Sequence, residues 1–206
     1  MSLGDLLRTI TNLGDPVLLA PAAALLLAYL LVCGTRRAAW LWAVAFGASL
    51  VLVTLAKLGL RMHGEAVLDV RSPSGHTGMS AVVYLGTAIV LGRGLARGAR
   101  IAALAAAMAL VLAIAWSRQL LGAHDWAENV IGSVIGGGAA LWFARRSAAE
   151  PIAPRLRVTF AAVLVALAVA VSGWHVTAET GIRQIAKGHW PKPHVVRQGR
   201  ETWLIL

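Results

Sequence analysis

Acidic residues are scarce in this chain: nine Asp and Glu stand against nineteen Lys and Arg in 206 residues, a net charge of +10. Charge of either sign is thin, at 14% of residues, where soluble domains carry about 25%. A soluble domain of this length would fold around one core. Here the apolar residues, 58% of the chain, come in long runs, so the solvent they expect is lipid. Cysteine is almost absent. The single Cys33 excludes an internal disulfide and a cysteine metal cage, and it reads as a small apolar filler in a helix. A cleaved leader is not expected. It would need basic residues, then an apolar stretch, then a small-residue cleavage site, whereas the first fifteen positions hold Asp5, Arg8 and Asp15. Leu31 and Val32, just before Cys33, are too bulky for lipoprotein processing. A patch of positive charge, as nucleic acid requires, is also missing. The cations sit in short clusters between apolar runs, which is how membrane topology is written, so no nucleic-acid partner is expected.

What is present is a series of six apolar segments, at 16–32, 38–60, 77–91, 101–121, 126–143 and 158–174. A membrane span needs about 20 residues, or about 17 at the short end. The third segment falls short unless His76 and its neighbours extend it, and the fifth is interrupted early by Glu128 and Asn129. Ahead of them, residues 2–13 predict a short helix with Leu3, Leu6, Leu7 and Ile10 on one face and Ser2 with Asp5 as a capping box. It is too polar to span and is expected in the membrane interface. The expected fold is all-α: a polytopic membrane helix bundle of six transmembrane helices with a short N-terminal interfacial helix. Residues 1–175 form one transmembrane domain in this reading, and 176–206 a polar C-terminal tail. Two apolar runs flank Arg197-Gln198-Gly199-Arg200 within that tail, the pattern of a small hairpin.

The connectors write the orientation. Arg36 and Arg37, then Arg93, Arg97 and Arg100, then Arg145, Arg146, Arg155 and Arg157 occupy alternate connectors, and these should face the cytoplasm. The remaining connectors hold Lys57, Arg61 and Arg71, then Arg118, among other polar residues whose chemistry explains them better than topology does. That side is expected to be extracytoplasmic, on a bacterial-type inner membrane. The eight tryptophans mostly lie near segment ends, as an interfacial belt does. Gly132-x-x-x-Gly136 in the fifth segment permits close helix contact, either within the bundle or across a homodimer.

Polar residues are costly in a membrane chain, so their placement is informative. Three clusters fall at segment ends on the same expected side: Lys57 with Arg61; Arg71-Ser72-Pro73-Ser74-Gly75-His76; and Ser117-Arg118, five residues, His124, then Glu128. Each residue type suits a phosphate. Lys57, Arg71 and Arg118 neutralise charge, and arginine can bind two oxygens at once. Ser74 offers a hydroxyl. Gly75 lets backbone N–H come close, at the start of a helix that itself favours an anion. The imidazole of His124 can attack phosphorus. Glu128, four residues on, shares its helix face and can fix its tautomer, the orienting logic of a serine-protease triad. His76 can protonate the leaving alkoxide. Glu65, Asp69, His63 and the tail histidines at 175, 189 and 194 read as ordinary polar residues. No His/Asp/Glu cluster outside these motifs points to a metal, and no cofactor is expected.

These motifs resemble the type 2 phosphatidic acid phosphatase superfamily, whose pattern is a lysine, six residues, Arg-Pro; then Pro-Ser-Gly-His; then Ser-Arg, five residues, His, three residues, Asp. Pro73-Ser74-Gly75-His76 matches fully, as do Ser117, Arg118 and His124. The resemblance implies that His124 is the nucleophile, His76 the general acid, and Lys57, Ser74, Gly75 and Arg118 the phosphate ligands. It implies a membrane lipid phosphatase acting through a phosphohistidine on a phospholipid or prenyl-phosphate substrate. Two positions depart from the pattern. Gly64 and Glu65 stand where Arg-Pro belongs, and Glu128 stands for the aspartate. Arg61 and Arg71 are both candidates for the missing arginine's work, with Arg71 favoured because it adjoins the phosphate turn. The same site could serve a lipid phosphotransferase. A non-catalytic phosphate-lipid binder is the third reading, against which the retention of both histidines argues.

Overall fold

The computed structural model describes residues 2–63, 72–172, 194–198 and 201–205, with side chains omitted for 60–63, 171–172 and the two strands. Contacts divide the chain into two units, Met1–Trp174 and His175–Leu206. Within the first, the described residues form seven helices: α1 (Leu3–Asn12), α2 (Pro16–Cys33), α3 (Arg36–His63), α4 (Gly75–Leu91), α5 (Arg97–Leu120), α6 (Trp126–Arg146) and α7 (Arg157–Ser172). In the second, β1 (His194–Gln198) pairs antiparallel with β2 (Glu201–Ile205), Val196 opposite Trp203.

Local chemistry sets the helix starts. Ser2 and Asp5 close the capping box of α1, the Ser2 hydroxyl accepting from Asp5 N–H at 3.2 Å and Asp5 Oδ2 accepting from Ser2 N–H at 3.0 Å. Asp15 caps α2 by accepting from Val17 N–H at 2.9 Å, with Pro16 in the first turn where its missing N–H costs nothing. Ser74 caps α4. Three stretches, Leu3–Cys33, Arg36–Gly59 and Arg97–Leu120, are long and apolar enough to cross a membrane, and α4 and α7 are shorter apolar helices. Their outer faces are greasy: Leu52 and Leu55 on α3, Leu112 and Trp116 on α5, Val134 on α6 and Val165 on α7 are all exposed. Soluble monomers do not display apolar surface on this scale, and the chain is a multi-pass membrane protein.

The bundle packs around α4. Val82, Val83 and Val90 are buried against Leu26, Leu30, Trp42 and Phe143. Trp42 donates to the Ala23 carbonyl at 3.0 Å and meets the edge of Phe143 at 5.5 Å between centroids. The α4–α6 crossing is closest, and glycine makes it so. A methyl at Gly132 would overlap the Ser74 carbonyl, and one at Gly136 the Gly78 carbonyl. The small-residue face of α6 is therefore occupied by α4 of the same chain, which answers the bundle-or-homodimer alternative for these glycines in favour of the bundle.

The two ends of the bundle differ. At one, the α2–α3, α4–α5 and α6–α7 connectors converge on Glu150, which accepts from Thr35 and pairs with Arg37 at 3.4 Å, while its carbonyl accepts from Arg93 at 2.9 Å. Arg155 and Arg157 donate there to the carbonyls of Val32 and Arg93. At the other end lie the α1–α2 turn, the approach to α4, and the α5–α6 connector.

Candidate active site

The α5–α6 connector is a tight return. Leu121 N–H bonds the Ser117 carbonyl at 3.0 Å, and the N–H groups of Ala123 and His124 both reach back to the Arg118 carbonyl, at 3.0 and 3.4 Å. Gly122 makes the reversal at φ +64, a left-handed conformation that suits glycine. This is the physical content of the five-residue spacing: it folds His124 back beside Arg118.

His124 stands one residue before Asp125, the N-cap of α6. Its pairing with Glu128 is thus not that of two residues on one helix face, as the i, i+4 spacing suggested. Glu128 is the third residue of α6, and its carboxylate folds back over the helix start, as a capping-box side chain does. Oε2 contacts His124 Nδ1 at 2.6 Å and accepts from Asp125 N–H at 3.3 Å. Oε1 accepts from Ser72 N–H at 2.7 Å. The carboxylate is 6% exposed, so these bonds, not water, fix it. The longer arm of glutamate is what reaches the cap, the imidazole and the neighbouring motif together. A second tie, Ser74 N–H to the Glu128 carbonyl at 3.0 Å, locks the Pro-Ser-Gly-His turn to α6.

The cations gather here. Lys57 Nζ lies 3.4 Å from where a Gly75 Cβ would stand, so glycine leaves room for the ammonium. Lys57 and Arg118 are both near enough for their charges to act on the His124 ring. That ring's pKa lies below its usual 6.5, burial being the largest cause; the Glu128 bond opposes it, and Arg118 and Lys57 reinforce it. Ser74 has its hydroxyl turned inward: the side chain is fully buried, 3.0 Å from the Thr77 hydroxyl. Arg71 lies outside the described residues, as does the side chain of Arg61. Among the described residues no three His, Cys, Asp or Glu side chains gather as metal ligands would.

Sequence reasoning missed two sets of residues. One is a buried chain from Ser74 through Thr77 to Asn129, whose Oδ1 accepts from Thr77 at 2.8 Å and whose Nδ2 donates to the Ala115 carbonyl at 3.2 Å. It pins α4, α5 and α6 under the site. The available signal was Asn129 itself, a polar residue inside an apolar segment. The other is Asp15, whose Oδ2 lies 3.8 Å from His76 Nε2.

The fold defines the class: a multi-pass helical membrane protein. The PAP2 superfamily profile matches residues 59–152. An uncharacterized 22.5 kDa protein in the cps region of Klebsiella pneumoniae is 30% identical over 139 residues, covering 66% of this chain and 66% of that protein. No solved structure matches the chain. The match places residues 59–152 in the PAP2 superfamily, the type 2 phosphatidic acid phosphatases. That membership supports, at the coarse level, a phosphoric ester hydrolase.

Proposed function

We propose that this chain is a lipid phosphatase of a bacterial-type inner membrane, acting at its extracytoplasmic face through a phosphohistidine. The observation that carries the reading is the 2.6 Å contact between His124 Nδ1 and Glu128 Oε2. A carboxylate on Nδ1 holds the proton there and leaves the Nε2 lone pair for attack. The lowered pKa of His124 keeps that ring neutral near pH 7. Nε2 bonds to phosphorus as the phosphorus–oxygen bond to the lipid breaks, and His76 gives the departing oxygen a proton. Water then attacks phospho-His124, returns a proton to His76 and frees inorganic phosphate. Lys57, Arg118 and the Gly75 N–H hold the phosphate oxygens, with Arg71, which adjoins Ser72 in the sequence, as a further ligand. Ser74 serves through its backbone and the cap it forms.

The word lipid rests on location. The site lies at the end of helices whose outer walls are exposed and apolar, so a lipid phosphate reaches it without leaving the membrane. Undecaprenyl diphosphate, phosphatidylglycerophosphate and phosphatidic acid all suit a basic site at the end of apolar helices. The test is phosphate release from these three lipids by the purified protein, with His124→Ala as the blank. Release from at least one, reduced by about 10³-fold or more in the variant, is expected. Full activity in His124→Ala would overturn the mechanism, and a phosphorylated acceptor lipid without free phosphate would indicate phosphotransfer.

A further inference from the structure

The helices α1 and α2 lie outside the matched residues 59–152, yet the turn between them is fastened to the site at several points. The Thr11 and Ser117 hydroxyls meet at 2.6 Å, with Ser117 donating onward to the Ile114 carbonyl at 2.8 Å. Tyr84 donates to the Leu13 carbonyl at 2.6 Å. A Cβ at Gly14 would stand 3.3 Å from His76 Cβ, 3.1 Å from Ser80 Oγ and 2.8 Å from Ile114, so glycine is what lets the turn close on α4 and α5. The residue this delivers is Asp15, 6% exposed. One carboxylate oxygen is fixed by Val17 N–H at 2.9 Å, and the other faces His76 Nε2 at 3.8 Å. Arg118 is close enough for its charge to act on the same carboxylate.

We infer that Asp15 is a positioning residue for His76, forming with it a second carboxylate–imidazole pair that parallels Glu128 with His124. The inference rests on the phosphatase reading above. A helix cap alone needs neither burial against a histidine nor a turn bonded to two motif-bearing helices. The Asp15 carboxylate, 3.8 Å from Nε2, favours a proton on that nitrogen electrostatically, leaving Nδ1 to face the leaving oxygen. In the first step the Nδ1 proton passes to the lipid oxygen as its bond to phosphorus breaks, and Nε2 keeps its own proton facing Asp15. In the second, the attacking water returns a proton to Nδ1.

A group that acts through proton delivery matters most for a leaving group that needs the proton. The test compares wild type, Asp15→Asn and Asp15→Ser on two substrates, an alkyl phosphate lipid and p-nitrophenyl phosphate, whose phenolate departs without protonation. Asn and Ser both cap helices well, so α2 keeps its start, and monodispersity in detergent verifies folding. Asp15→Ser retains the cap and withdraws the arm that reaches His76. The expected result is a loss on the alkyl phosphate about tenfold or more greater than on the aryl phosphate, seen in kcat. Equal losses on both substrates, or no loss on either, in an active wild-type background overturn the positioning role alone. A wild-type protein that releases phosphate from neither substrate overturns the phosphatase reading and this inference with it.

Discussion

At the scale of single residues, the account turns on the protonation of His124. Burial lowers its pKa below 6.5, aided by Arg118 and Lys57, while Glu128 pulls the other way. In the proposed mechanism the nucleophile is the neutral ring, so activity is lost as pH falls through that lowered value, and the acid limb of kcat/KM for the nucleophile is expected below 6.5. The same sign governs stability. The unfolded chain binds this proton more readily than the folded one, so the contribution is full above 6.5 and declines as pH falls below it. Replacing Glu128 with Gln removes an influence that raises the His124 pKa. The limb should move to lower pH, and kcat should fall by roughly 10²- to 10⁴-fold through loss of the tautomer. A limb that moves upward, or a rate within about twofold of wild type, contradicts this role.

At the scale of helices, the close α4–α6 crossing is what brings Ser72 and Ser74 within bonding distance of Glu128. Gly136→Ala puts a methyl into the Gly78 carbonyl and is expected to lower stability by about 1–3 kcal/mol, read as a fall in thermal midpoint in detergent. Gly137→Ala and Gly138→Ala meet nothing within 4 Å and should be neutral or stabilising, since alanine favours helix by about 1 kcal/mol over glycine. Equal effects at all three positions would mean the crossing does not depend on Gly136. Much of this scale was legible in the sequence, because apolar run length and capping are local signals. The helix expected to start at the Pro-Ser-Gly-His turn begins at Gly75, after the Ser74 cap, and so extends the apolar segment at 77–91. Glu128 and Asn129 looked like an interruption of the fifth segment, but both are buried in a continuous helix, because their polar atoms are satisfied by neighbouring elements. At the site, the His124–Glu128 pairing was legible from four-residue spacing, though its geometry is that of a cap. The Asp15–His76 proximity was not legible. The two lie sixty-one positions apart in the numbering, and Asp15 before Pro16 reads locally as a helix cap and nothing more.

At the scale of the whole bundle, the two ends carry different polar residues. Arg37, Arg93, Arg155 and Arg157 bind at the end that holds Glu150, and the motif residues occupy the other. In the proposed orientation, which follows the positive-inside rule, the first end faces the cytoplasm. In a Cys33→Ala background, a membrane-impermeant maleimide applied to intact cells should label a cysteine placed at exposed Ala123 and spare one at exposed Ala149. The reverse pattern would put the site on the cytoplasmic side.

The central claim is a covalent phosphate on His124, and rapid quenching of the purified protein during turnover of a lipid carrying labelled phosphate tests it most directly. The account predicts protein-bound label that is stable in base, lost in acid, and absent from His124→Ala. Label that persists in His124→Ala, or a wild-type protein that turns over at full rate while carrying none, would contradict it.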